Sequence, residues 1–394
     1  MPPVADYYDD VRDEPKPITE EYDSVADDPT VDPERLAKLL EQPTDTARHV
    51  LRLMDGVESY HPPLFEDIED GLLLPGFEGF KDTLHDLWER IKQWLAAVRR
   101  WIMDDGRQAD IALNALSLQC ENLKVDTRAK LSSQQSGQFK IKGRITSLSV
   151  FYAPPRDIGQ LISNLRMMNR FMGDYLNLVD RQMLGNVGRV AVRVSQLDPA
   201  RLFAPDLEDL AVELRRMAPE NAITSLNLQP VKGSSRRYSS LHLMGNLRLI
   251  YQPGGDARGM SRVLSQTLRL MHSDINPRPM PPEITFSKFG RIQSDQLLQW
   301  VGTSIDQLKH HTQPAMRKRR MRSLEEMEMA VDRFIQKTDQ LTDTDTQGHR
   351  ELIRQVVQTG RSVNDWLNNP YHGMIANHIR SLRAALMVCR MNVS

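Results

Sequence analysis

The sequence predicts a mainly α-helical (α+β) fold, a bundle-type helical body with a small antiparallel β element in its middle third. From Phe80 onward, apolar residues recur every three or four positions over most of the chain, which is the spacing of one helix face. The period changes to two in short stretches, and the β element is drawn from those within 138 to 152 and 223 to 252. At 394 residues, with 40% apolar and 26% charged side chains, the chain carries enough hydrophobic mass for a sizeable core.

Residues 1 to 58 contain 16 Asp or Glu and 6 Lys or Arg, a net of -10. A stretch such as Asp13 to Glu34 has too few apolar side chains to offset its ordering entropy and predicts disorder. Only Pro33 to Gly56 carries helix-spaced apolar residues (Leu36, Leu39, Leu40, then Val50, Leu51, Leu53, Met54), predicting two short helices split at Pro43. A loop rich in Pro and Gly follows. Leu84, Leu87, Trp88, Ile91, Trp94, Leu95, Val98, Trp101 and Ile102 then predict an amphipathic helix from about Phe80 to Met103. Arg90, Lys92, Arg99 and Arg100 lie on its other face, a pattern open to a membrane surface or, as favoured here, to core packing. Helix continues over Ile111 to Leu131.

Between Gln138 and Tyr152 the alternation predicts a strand broken near Gly143, stopped by Pro154 and Pro155. Asp157 stands as the N-cap of a long helix to about Leu184. Arg189 to Leu197 alternates as a strand, Pro205 to Met217 is a short helix, and Ile223 to Leu228 alternates again. Gly245-Asn246, between two alternating runs, predicts a tight hairpin. From Arg258 onward, helices are expected near 258 to 273, 294 to 311, 314 to 341, 347 to 368 and 372 to 391, with a proline-rich break at Asn276 to Glu283. The expected organisation is a leader (1–58), an amphipathic helical region (59–135), a small α+β unit (136–255) and a C-terminal helical bundle (256–394).

Cys120 and Cys389 form neither a CxxC pair nor a disulfide framework, and read as buried small hydrophobes in a reducing compartment. The N-terminus lacks a secretory pattern, and no apolar stretch approaches the roughly 18 to 20 residues that span a bilayer, so no membrane partner is expected. Recognisable chemistry is sparse. GxxxxGK[ST], HExxH, GxSxG and closely spaced Cys/His ligands are all absent, so no cofactor and no metal are assigned. Adjacent His310 and His311 point to different sides of a helix, and the local run His272-Ser273-Asp274 reads as a helix-end loop rather than a triad.

The strongest polar signal is Arg317-Lys318-Arg319-Arg320 with Arg322, five basic residues in six positions and a strong local field suited to phosphate backbones. Glu325, Glu326 and Glu328 at helical spacing offer the alternative of a solvated, paired helix face. Lys232, Arg236 and Arg237 in a Gly/Ser loop form a second candidate contact. Neither cluster carries an aromatic ladder, so base reading is not expected.

The net charge of -1 hides a partition, because residues 59 to 394 hold 45 Lys or Arg against 36 Asp or Glu, or +9. An acidic leader, a small-x-Glu junction at Gly56-Val57-Glu58 before Ser59, and a basic, mostly helical body together resemble the internal head, or inner-body, virion proteins of phiKZ-like giant tailed phages. The resemblance is one of architecture across the chain. It implies a non-enzymatic component of the phage head interior, made in the host cytoplasm, and removal of the leader by a prohead protease. It further implies contacts with other virion proteins and with packaged phage DNA through non-specific phosphate contacts. The tripeptide recurs at Glu78, Glu213, Glu220 and Glu325, so position and charge distinguish the junction at Glu58. A head, neck or tail structural protein engaged by protein contacts, and an enzyme without a recognisable motif, remain the alternatives.

Overall fold

The computed structural model describes residues 80–132, 135–231, 236–255, 258–273, 279–342, 348–368 and 370–394. The leader and the residues up to 79 lie outside the described residues. The described chain opens with α1, Phe80–Lys130, a single helix of 51 residues in which the two predicted helical segments join. At about 1.5 Å per residue it runs for about 77 Å. Its apolar stripe is buried from Leu84, Leu87, Trp88 and Ile91 through Leu113, Leu116 and Cys120.

β1 (Gln138–Lys142) follows, and then the chain departs from expectation. Gly143 and Arg144 both adopt positive φ (73° and 51°), which turns the backbone out of the strand. Residues 145 to 148 form a single helical turn, α2 (Ile145–Leu148), so the second half of the predicted strand is not one. Asp157 caps α3 (Ile158–Asn177) by accepting a hydrogen bond from Gln160 N at 2.8 Å, as predicted. α3 leads through a π-helical turn, Leu178–Met183, directly into α4 (Leu184–Gln196). The strand expected at 189–197 is therefore helix. Val187, Val190, Ala191 and Val194 are buried at helical spacing, while Val192, needed inward by the strand reading, is 56% exposed.

α5 (Ala204–Arg215) matches the predicted short helix, whereas 221–225 form α6 (Asn221–Ser225) where alternation suggested a strand. Strands β2 (Gln229–Pro230), β3 (Tyr238–Ser239) and β4 (Leu247–Gln252) build an antiparallel sheet, with Gly245 and Asn246 both at positive φ in the predicted turn before β4. A Cβ on Gly245 would collide with the Asn377 amide, so this turn requires glycine for space as well as φ. The helix expected over 258–273 is cut short: α7 spans Gly259–Leu264, and β5 (Thr267–His272) joins β4 over six paired residues. β6 (Glu283–Ser287) pairs with β1 in a separate two-stranded sheet, Phe139 opposite Phe286 with ring centroids 5.7 Å apart. The β element is thus two antiparallel patches, with an isolated antiparallel bridge between Val150 and Met244.

Four long helices complete the chain, close to the predicted ranges: α8 (Arg291–Thr312), α9 (Pro314–Asp339), α10 (Arg350–Asn368) and α11 (Tyr371–Val393). α1 is their common spine. Trp88 Nε1 donates to Asp332 at 2.6 Å, Arg99 pairs with Glu328 at 3.0 Å, and Cys120 Sγ reaches the Leu298 carbonyl at 3.4 Å. Advancing along α1 therefore means retreating along α9 and then α8, an antiparallel arrangement across two successive helices. α11 packs on both α1 and α8, and α4 packs on α9. Lys337 of α9 donates to the Ser195 and Leu197 carbonyls at 2.9 and 3.1 Å, closing the C-terminal end of α4. Buried residues from α1, from the middle third and from α8 to α11 form one continuous core.

Both cysteines are free and buried. Burial pushes the thiols up, to about 11 for Cys120 and about 12 for Cys389, which makes them packing groups rather than nucleophiles at neutral pH. Among the described residues no helix is long and apolar enough to cross a membrane.

His378 on α11 is wholly buried, and neither ring nitrogen has a hydrogen-bond partner. Burial pushes its pKa down to about 3. The unfolded chain, with an ordinary His value near 6.5, takes up this proton first as pH falls, so folded stability is lost below about pH 6.5. Half-buried His372, also pushed down, acts in the same direction. The loss attributable to one such group approaches about 1.4 kcal/mol per pH unit. Urea unfolding between pH 6.5 and pH 5 should show His378→Leu flattening this decline relative to the wild type, and an unchanged slope would place the acid sensitivity elsewhere.

Candidate functional site

The basic run at the start of α9 is divided by the helix it sits on. Lys318 and Arg319 are exposed, and the Arg322 side chain is 81% exposed with an i,i+4 bond to Glu326 at 3.1 Å. Arg317 is half-buried in an ion pair with Asp110 of α1. Arg320 is 3% exposed and belongs to the core, which corrects its assignment as a phosphate contact. Five basic residues in six positions must cover most of the helix circumference at 100° per residue, so one face of the run has to point inward.

The inward face builds a polar node. Arg320 Nη2 lies 3.2 Å from Asp180 Oδ1, Nη1 donates to the Leu367 carbonyl at 3.1 Å, and the guanidinium stands 3.4 Å over the Tyr371 ring. The second Asp180 oxygen accepts from His311 Nδ1. Tyr371 Oη donates to the His311 carbonyl at 3.2 Å. Alongside, Thr312 Oγ1 donates to Asp110 Oδ1 at 2.6 Å, and Arg317 Nη1, besides pairing with Asp110, donates to the Thr312 carbonyl at 3.0 Å.

Each group is there for a local reason. Asp180 lies in the π turn, four of whose six residues are buried, so the widened turn carries a carboxylate inward with Leu178, Val179 and Met183. His311 and Thr312 end α8, and Pro314 at the start of α9 makes the sharp junction whose freed carbonyls Arg317 and Tyr371 collect. Gly106 on α1 leaves room for the Arg317 stem, since a Cβ there would collide with it. Burial alone would raise the Asp180 carboxyl, but its hydrogen bond to His311 and the Arg320 charge outweigh that and hold it below the usual value. Burial raises Tyr175 and, to about 12, Tyr371, so both stay neutral phenols beside the guanidinium.

The node opens into a cavity with about 70 Å³ of room between α1, the α8–α9 junction and α11. Ile102, Gly106, Ala109 and Ala112 form one wall, and Ile375, Ala376 and Ile379 the other. Arg317, Arg320, Arg380 and Arg383 line it together with His311 and His372. Among the described residues no group of three or more His, Cys, Asp or Glu side chains could hold a metal ion.

The other sequence-derived sites fall as follows. Gly56, Val57, Glu58 and Ser59 lie outside the described residues, as does Lys232. Arg236 and Arg237 are exposed at the entry to β3, on a different element from the α9 run. Of the rival small-x-Glu sites, Glu213 is inside α5 and Glu325 inside α9, while Glu220 follows α5 in a turn where its N–H donates to Gln266 at 3.1 Å. Asp110, Asp180, Tyr371, Arg380 and Arg383 were not singled out from sequence. One signal was available: Asp180 and Arg320 occupy positions in register with apolar stripes (Leu176, Val179, Met183; Leu324, Met327, Val331), where a charge demands a partner. Comparisons with protein-family models, with curated proteins and with solved structures find no match.

Removing one member of a buried ion pair leaves the other charge uncompensated, at a cost of about 3–5 kcal/mol. Chemical denaturation should therefore place Asp180→Asn and Arg320→Met in that range, with Arg322→Gln within about 0.5 kcal/mol of the wild type. A loss below about 1 kcal/mol for both buried variants would mean that the node does not hold the helices together.

Proposed function

We propose that this chain is a non-enzymatic virion structural protein of a tailed phage, an internal head protein packaged with the genome after a prohead protease removes its acidic leader. The observation that carries this reading is the charge partition: -10 in residues 1 to 58 against +9 in the rest. While attached, the leader offsets the field of the body; once it is cut away, the body is a cation able to sit among DNA phosphates by counterion release. Lys318, Arg319 and Arg322, facing solvent on a helix anchored through Arg317 and Arg320, supply a rigid contact for phosphates without base reading. The helical location of Glu213 and Glu325 favours cleavage elsewhere, because a protease needs extended chain.

Two outcomes test the reading. Mass spectrometry of mature particles should recover a chain beginning at Ser59, and Glu58→Gln should leave it full length; intact Met1 in infectious particles would reject the leader. Replacing Lys318, Arg319 and Arg322 together by Gln should weaken binding to unrelated duplexes alike. The slope of log K against log salt should shrink by about one for each lost phosphate contact. A slope equal to that of the wild type would make the exposed residues an ordinary solvated face. Neutralising Arg317 or Arg320 is not an equivalent experiment, because those side chains hold the fold.

A further inference from the structure

We propose that the solvent face of the β1–β6 ribbon, with the ends of α1 and α8 beside it, is a docking surface for the phosphate backbone of a nucleic-acid duplex. The inference rests on the nucleic-acid reading above and gives it a second surface, at the opposite end of α8 from the α9 run, about 33 Å along that helix. Residues 128 to 144 hold five basic side chains, Arg128, Lys130, Lys140, Lys142 and Arg144, and no Asp or Glu. That is more than half of the +9 carried by residues 59 to 394. The fold then adds Lys288 and Arg291 to the same surface. The Lys288 N–H donates to the Gly137 carbonyl at 2.9 Å, and the Arg291 N–H to the Ser132 carbonyl at 3.0 Å. The last turn of α1, the ribbon and the first turn of α8 are therefore neighbours.

The ribbon presents two unlike faces. Phe139, Ile141, Ile284 and Phe286 are buried, while the outward cross-strand pairs are Gln138 with Ser287, Lys140 with Thr285 and Lys142 with Glu283. Among the described residues the ion pairs of the seven cations use three carboxylates: Lys140 with Glu283 at 2.5 Å, Lys130 with Asp126 at 3.4 Å and Arg291 with Asp295 at 3.7 Å. The hydrogen bond from Lys140, with the charges of Lys140 and Lys142, holds the Glu283 carboxyl below its usual value. Pairs exposed in this way bind their members weakly, so the lysines stay available to a polyanion. Five residues of strand extend for about 17 Å, and a duplex carries one phosphate charge per about 1.7 Å of axis, so several phosphates come within reach together. Gln138, Thr285 and Ser287 are exposed and add neutral donors of the kind that bond phosphate oxygens. The rings of Phe139 and Phe286 are buried against each other, so no aromatic platform for unpaired bases stands on this face, which favours a duplex over a single strand. α11 holds the surface in place before any ligand arrives, through Asn392 on the Phe289 backbone at 2.9 Å and Ser381 Oγ on the Ser147 carbonyl at 2.9 Å.

The test is fluorescence anisotropy of the full chain with two labelled DNA duplexes of unrelated sequence, titrated over about 50 to 200 millimolar salt. Replacing Lys140, Lys142 and Lys288 together by Gln should weaken binding to both duplexes by about tenfold or more and shrink the slope of log K against log salt by about two to three. A charge-matched control, Arg201→Gln with Arg215→Gln and Arg258→Gln, removes the same charge from the exposed surface of the middle third and should keep the wild-type slope. Circular dichroism and melting temperature establish that each variant is folded. Equal losses in the ribbon and control variants would reduce the effect to net charge and overturn the proposal, as would a wild-type slope in the folded ribbon variant or the absence of saturable binding by the wild type. If the ribbon variant keeps the wild-type slope while replacement of Lys318, Arg319 and Arg322 lowers it, the ribbon surface is rejected and the α9 contact stands. Leader removal is read from mature particles and is decided separately from both.

Discussion

The buried pair of Arg320 and Asp180 is the constraint on which the arrangement of the helices turns. Two ions withdrawn from water lose several kcal/mol of solvation each and recover it only if their geometry is good and their remaining hydrogen-bonding capacity is filled. Parts of the chain far apart in sequence set the geometry and occupy Arg320 Nη1 and Nη2, while Arg320 Nε is left without a hydrogen-bond partner. Arg320 comes from the start of α9, Asp180 from the π turn between α3 and α4, and His311 from the end of α8. The Leu367 carbonyl comes from the end of α10 and Tyr371 from the start of α11. The node therefore fixes where four helix ends meet. A helix slid by one turn along its axis would strand a charge in the core.

Around that node the long α1 acts as the surface on which the rest is laid. Its apolar residues are buried on both sides of Gly106, from Leu84 to Ile102 and from Ala112 to Leu123, so α9, α8 and α11 can all bury their own stripes against one element. The sheets are accessory to this. The β1–β6 pair is tied to the helices where Asn392 of α11 exchanges two hydrogen bonds of 2.9 Å with the Phe289 backbone. The hairpin before β4 is tied by Asn377, whose amide donates to the Met244 carbonyl at 2.7 Å. Both anchors are asparagines of one helix, which explains why α11 carries buried polar residues along an otherwise apolar face.

The same charge-rich helix faces two ways. Its inward arginines are structural, fixed in place and partly neutralised, and its outward cations stay solvated and available to an anionic surface. Functional reading of a basic run thus depends on which residues remain outside once the helix is docked.

The sequence by itself determined the helical class, the long helices from α8 to α11, the N-cap at Asp157 and the turn at Gly245-Asn246, because each rests on a local rule: apolar period, capping chemistry or positive φ. It also determined the charge partition, which is arithmetic. Only the tertiary structure decided the short segments. Val187 to Val194 fits both periods, and packing against α9 selects helix; Thr267 to His272 becomes a strand because β4 offers it a ladder; Arg144 takes a positive φ that no local rule requires. The candidate site was legible only as a cluster of basic residues. Which of them are buried, and that Asp110, Asp180 and Tyr371 meet them, depends on contacts 47 to 207 residues apart in sequence. Ion pairing and cavity shape are properties of such contacts, and a linear pattern carries no record of the distance between its members.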